Sequence, residues 1–162
     1  MAAEFKLITE WRIRAPLADV YNAISHCLDW PVWWQGASKV EKCASGDADG
    51  VGDAYRFSWR GPIPYRVIFV MQVTRVVPCV LVEGCASGDV AGIGRWNFVH
   101  AHGVTIVHYE WRVDILRWWM NFVAPFARPV FRWNHHQVML QGAKGLAHML
   151  NARLEAVHTR EM

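Results

Sequence analysis

The residue best placed to do chemistry is His135. Phe131, His135, Val138, Met139, Gly142, Leu146, Met149 and Leu150 share one face at helical spacing, and the histidine sits near the centre of that apolar stripe. An imidazole buried there titrates close to neutral pH and can act as an acid or a base. A core histidine bonded to a strand carbonyl or to a cavity water is the plainer reading of the same position. Asn134, on the flank of the stripe, caps or orients its neighbours. The spacing argues against a metal. His135 and His136 point about 100° apart on a helix and cannot chelate one ion together. His100 and His102 can share a strand face, but they adjoin Gly103 in a turn with no carboxylate or thiol beside them. No Gly-x-Ser-x-Gly elbow and no cysteine-nucleophile context occurs. The cysteines Cys27, Cys43, Cys79 and Cys85 form no Cys-x-x-Cys pair and no zinc spacing, and they read as reduced thiols of a cytosolic protein.

These side chains need a frame. Phe5 to Arg14 alternates as a first strand, and Pro16 stands where a helix begins, followed by Leu17, Val20, Tyr21 and Ile24 at helical spacing. Trp30 to Trp34, with Pro31 near its start, reads as a second short helix or turn. From Lys39 to Ile115 the chain is strands and turns. Tyr55, Phe57 and Trp59 alternate with polar residues, as do Tyr65, Val67, Phe69, Met71 and Val73, and Pro78 limits the strand before it. Leu81–Ser87, Gly94–His100 and Thr105–Ile115 complete the series. Strands joined by Gly/Asp turns without intervening helices imply an antiparallel sheet. The segment Cys43–Gly52 resembles Cys85–Gly94; strands follow both copies, so they read as two hairpins of similar turn chemistry rather than a phosphate cradle. After Pro129 a helix of about twenty-five residues is expected, long enough at 1.5 Å per residue to cross a domain. Its polar face carries Gln137, Gln141, Lys144, His148, Asn151 and Glu155. Gly142 and Gly145 inside it each cost about 1 kcal/mol relative to Ala, which points to space beside the helix or to close backbone packing.

Composition narrows the function. The 162 residues suit one domain, residues 1–162, and with 53% hydrophobic and 19% charged residues disorder is excluded. Ten tryptophans suit walls that are apolar yet offer a hydrogen bond. A net charge of +3 with scattered Lys and Arg gives no nucleic-acid stripe. The N-terminal stretch alternates and has no signal-peptide core. Trp118 to Phe131 is broken by Asn121, Pro125, Arg128 and Pro129, too interrupted to span a bilayer.

The order of elements, one strand, two short helices, six strands and a long terminal helix, resembles the START/SRPBCC superfamily in its polyketide cyclase/dehydrase and lipid-transport branch. The likeness is carried by Ala15-Pro16 through Val20-Tyr21, Asp29-Trp30-Pro31-x-Trp33-Trp34, and Gly50-Val51-Gly52 leading into Tyr55-Phe57-Trp59. It continues in Val73-Thr74-Arg75-Val76-Val77-Pro78, Ala86-Ser87-Gly88-Asp89, Gly92-x-Gly94-x-Trp96, Trp119-Met120-Asn121 through Pro125, Arg128-Pro129-x-Phe131, Trp133-Asn134-His135 and Gly142-x-x-Gly145-Leu146. The resemblance covers nearly the whole chain and is specific for fold, not activity. It implies an α+β helix-grip (START-like) fold, a curved antiparallel seven-stranded sheet wrapped around a long C-terminal helix, with two short helices and a cavity between sheet and helix.

The residues expected to line that cavity are Tyr55, Phe57, Trp59, Phe69, Met71, Trp96, Phe98, Tyr109, Trp111, His135, Val138, Met139 and Gly142, many of which could equally be plain core. Three functions follow from the resemblance. The first is a carrier or sensor of a hydrophobic small molecule such as a lipid, quinone or polyketide-like ligand. The second is a cofactor-free cyclase or dehydrase in which His135, with Tyr109 or Tyr55 opposite, polarises a ligand carbonyl. The third is an interaction protein using the Trp-rich 116–133 segment. That segment could rest on a membrane interface, close over the cavity as a lid or form a homodimer contact. No cofactor, metal or nucleic acid is expected.

Overall fold

The computed structural model describes residues 3–116 and 118–162, with the side chains of Ala3 and of residues 118–127 outside that description. The chain runs β1 (Ala3–Arg14), α1 (Leu17–Ser25), a 3-10 turn (Cys27–Asp29) and α2 (Trp30–Trp33). It continues through β2 (Ala37–Ala44), β3 (Ala54–Arg60), β4 (Arg66–Val77), β5 (Leu81–Gly88), β6 (Val90–Ala101) and β7 (Val104–Ile115). It finishes with α3 (Trp118–Met149) and β8 (Arg153–Glu161). The eight strands form one antiparallel sheet in the order β2-β3-β4-β5-β6-β7-β1-β8. Register shifts at Arg12/Ile13, Ala37/Lys39, Lys42/Ala44 and Val73/Arg75 each insert an irregularity, the usual device for bending a sheet.

Period-two patterning explains which face is covered. Phe5, Leu7, Thr9, Trp11 and Ile13 of β1 are all buried, whereas Glu4, Lys6, Arg12 and Arg14 between them are exposed. The helices lie on the buried side. Val20 and Ile24 face inward from α1, and Pro16, which precedes it, makes no side-chain cap. The helix-grip fold class expected from the sequence is the one observed.

Two details differ. The long helix starts at Trp118, ahead of both prolines, and spans 32 residues. Pro125 and Pro129 each remove one helical hydrogen bond, yet a proline's fixed φ is compatible with the helix, and the chain carries on through both. The helix also ends earlier than its polar stripe suggested. Asn151 adopts a left-handed conformation (φ 50°), and the N–H of Ala152 returns to the carbonyl of Ala147 at 2.8 Å. Asn151 and Glu155 therefore lie beyond α3, and Glu155 belongs to an eighth strand that pairs with β1.

Four sets of contacts fix α3 over the sheet. Trp34 donates its Nε1–H to the carbonyl of Val138 at 2.8 Å. Gly142 backs onto the Trp34 ring, and Gly145 onto the carbonyl of Trp33. Arg128 and Arg132 reach Glu161 of β8 at 3.0 and 2.7 Å. Phe131 meets Phe5 edge-on at 6.0 Å, with the Arg128 guanidinium 4.7 Å over the Phe5 ring. The glycines thus serve close packing against α2, not open space. Among the described residues no helix is long and apolar enough to cross a membrane, and all four cysteines are free. The expected roles of 116–133 as lid, membrane contact or dimer surface rest on side chains that fall mostly outside the described residues.

Candidate functional site: two chambers on the concave face

The inward stripe of β4 passes two cavities in succession. Val67 lines a cavity of about 160 Å³ beneath α3, Met71 and Val73 line one of about 170 Å³ beneath α1, and Phe69 between them touches both. Each is close to the size, about 150 Å³, of an apolar cavity that accepts a benzene ring. Five aromatic residues are common to the two walls: Trp30, Trp59, Phe69, Trp96 and Tyr109. Trp96 stacks on Tyr109 with centroids 4.1 Å apart, and Trp30 lies 6.0 Å from both Trp59 and Trp96. These rings form the side that the two chambers share.

The chamber beneath α3 takes His135, Val138 and Met139 from the helix and Trp111 from β7. The Nε2 atom of His135 is sealed from solvent and has no hydrogen-bond partner among the described residues. Burial pushes the imidazole pKa down to about 4, with His136 adding in the same direction, so the ring is neutral at pH 7. The adjacent His136 turns away to Thr159, 2.7 Å from its hydroxyl, as the helical geometry requires. Trp59 Nε1, in the same wall, is also sealed and unpartnered. Burial raises the Tyr109 phenol and keeps it protonated. Gly94 leaves room for this tyrosine: a Cβ there would lie 3.1 Å from its hydroxyl oxygen and 3.3 Å from the Trp111 ring.

The chamber beneath α1 has a different polar set. Tyr55 donates to Asp53 Oδ2 at 3.2 Å, while Asp53 Oδ1 accepts the Gly46 N–H at 2.7 Å. That backbone bond, with help from Tyr55 and Lys42, holds the Asp53 carboxyl below its usual range. Burial moves the Tyr55 phenol up to about 12, with the charge of Asp53 contributing in the same direction. Burial also pushes the Cys27 thiol to about 12 and leaves it a poor nucleophile. Ser25 Oγ is sealed and has no hydrogen-bond partner among the described residues. Among the described residues neither chamber is lined by a lysine or an arginine, and no cluster of His, Cys, Asp and Glu could hold a metal ion.

Trp111, His135, Val138 and Met139 come together in the first chamber, and Tyr55, Phe57 and Met71 in the second, while Trp59, Phe69, Trp96 and Tyr109 face both. Tyr55 shares no chamber with His135. Phe98 and Gly142 line neither. Phe98 is buried against Tyr21 with ring centroids 5.1 Å apart, because α1 covers that end of β6. Gly142 is occupied by Trp34, as above. The sequence reading missed Trp30 and Trp34, whose short helix gave no periodicity to reveal an inward face. It also missed Ser25 at the end of α1. Asn134 does orient a neighbour: its Oδ1 accepts the Ile63 N–H at 3.2 Å and tethers the β3–β4 loop to α3.

Solved structures share this architecture at low sequence identity. The Zhui aromatase/cyclase from Streptomyces sp. R1128 superposes with a TM-score of 0.73 at 11% identity, covering 92% of this chain and 94% of that one. A START superfamily protein from Mycobacterium smegmatis gives 0.71 at 12% identity, over 90% and 97% of the two chains. The ginseng major latex-like protein 151 from Panax ginseng gives 0.66 at 9% identity, over 91% and 97%. No protein-family model matches the sequence, and no curated protein matches it. The chain has the START-like fold of these structures.

Proposed function

We propose that this chain, on its START-like helix-grip fold, holds an uncharged, largely apolar small molecule in the chamber beneath α3. One observation carries the reading: bulky rings surround a space of about 160 Å³ that they leave open between α3 and the sheet. Interiors normally close-pack, so a ring-sized space in an aromatic wall favours a guest. The electrostatics favour a neutral one, since a buried carboxylate or phosphate would meet no lysine or arginine of the described wall. His135 Nε2 and Trp59 Nε1 are the groups that would meet its carbonyl or hydroxyl. Each is buried without a partner among the described residues, which costs about 1–3 kcal/mol, and a hydrogen bond to a guest would recover it.

The test is native mass spectrometry of the protein as isolated, together with Nile red binding as a neutral apolar probe. A bound organic molecule, or dye uptake that Val67→Trp abolishes, is the expected result. A protein that carries nothing and takes up no dye would end the proposal.

A second reading is a cofactor-free cyclisation or dehydration, favoured by His135 and Tyr109 sharing one chamber. The imidazole would take a proton from carbon beside a ligand carbonyl that Tyr109 polarises. The resulting carbanion would close on a second carbonyl, and the histidinium would return the proton to the new alkoxide. This reading requires His135→Ala to abolish turnover while ligand affinity is kept; a carrier shows no turnover to lose. The low basicity of His135 makes it a weak base and favours the carrier.

A further inference from the structure

We propose that the chamber beneath α1 is a second, separately loaded site that selects a one- or two-ring phenol or alcohol. The space is about 170 Å³, and five aromatic residues line both it and the chamber beneath α3. Phe57 and Met71 give it an apolar body suited to a flat ring.

Its polar groups decide the chemistry. The acidic side chains in the wall are Asp49, Asp53 and Glu83, and the cations that pair with Asp53 and Glu83, Lys42 and Arg95, are not part of it. An anionic guest would therefore face carboxylates and meet no lysine or arginine of the described wall. Tyr55 commits its proton to Asp53 and keeps oxygen lone pairs to offer. Ser25 Oγ, buried and unpartnered, can donate or accept. A hydroxyl, which both gives and receives one hydrogen bond, satisfies this set where a carboxylate or a bare hydrocarbon does not. The proposal stands independently of what the chamber beneath α3 holds.

Calorimetry with 2-naphthol, naphthalene and 2-naphthoate tests it in a Val67→Trp background, which fills the chamber beneath α3 from the same face of β4. One equivalent of 2-naphthol is expected to bind, with 2-naphthoate at least about tenfold weaker, a penalty of 1.4 kcal/mol or more. Adding Val73→Trp abolishes the binding; Val73→Phe serves if circular dichroism shows that the larger ring unfolds the chain. Ser25→Ala weakens 2-naphthol about fivefold, the worth of one hydrogen bond, and leaves naphthalene unchanged. Loss of 2-naphthol binding in a folded Val67→Trp protein would overturn the proposal, as would binding that survives Val73→Trp. Equal affinity for 2-naphthoate, or equal effects of Ser25→Ala on both neutral probes, would do the same. Dye uptake lost on Val67→Trp reports separately on the first chamber.

Discussion

Trp34 packs its indole against the backbone of Gly142 and donates its N–H to the carbonyl of Val138, one turn earlier in α3, at 2.8 Å. A Cβ on Gly142 would overlap three ring carbons of Trp34, Cε2 nearest and Cζ2 and Cδ2 at 2.7 and 2.8 Å, closer than side chains tolerate. The pair is a ball-and-socket between the residue that follows α2 and the backbone of α3, and it sets the height of the long helix above the sheet.

Gly142→Ala is therefore expected to destabilise the protein, although the same change in an open helix gains about 1 kcal/mol. Overpacking against Trp34 costs about 1–3 kcal/mol and outweighs that gain. Urea unfolding measures it. Trp34→Phe should relieve part of the clash, so the double variant should be less destabilised than the two single effects added; strict additivity would contradict the socket.

His135 makes stability depend on pH in a defined window. Its pKa is about 4 when folded against 6.5 for a free imidazole, so between those values the unfolded chain binds the proton and the native one does not. Stability is then complete above about pH 6.5 and is lost as pH falls toward 4, by about 3 kcal/mol for this residue. Urea titrations of wild type and His135→Gln should show a difference that is constant above neutrality. It should shift against the wild type as pH drops. A difference independent of pH would mean that the ring is not held neutral.

Glu161 ties the end of β8 to Arg128 and Arg132 of α3. In Glu161→Ala, amide exchange of the Arg128–Trp133 turn should quicken while that of Ala143–Ala147, held by the Trp33 and Trp34 contacts, stays slow. High salt should mimic the substitution, since these charges are part-exposed. Uniform exchange along the helix in the variant would show that the pairs do not anchor it.

The alternation of Tyr55–Trp59 and of Tyr65–Val73 made the sheet and its inward face legible, and the stripe through His135, Val138 and Met139 made the helix legible. The inward face of His135 followed from that stripe, whereas the cavity it was placed beside came from the family resemblance. Gly142 did not follow, because a glycine on an apolar face reads the same whether it leaves space or admits a neighbour; only the approach of Trp34 separates the cases. β8 was hidden by the register shift at Arg12/Ile13, which breaks its alternation between Leu154 and Val157. Pro125 and Pro129 concealed the first turns of α3, because local preference predicts a break that the contacts of Phe131 and Arg128 with Phe5 override. The two chambers share a wall of rings drawn from five elements, which no single-segment pattern encodes.

The seat of β1 between β7 and β8 also governs how the chain folds. Ile13 pairs with Thr105 and Leu154, so neither edge of this strand finds its partner until most of the polypeptide is available. Such remote pairings close large loops before they gain anything, which slows folding. In the meantime Phe5, Leu7, Trp11 and Ile13 stay uncovered, a period in which crowded chains associate wrongly unless something shields them.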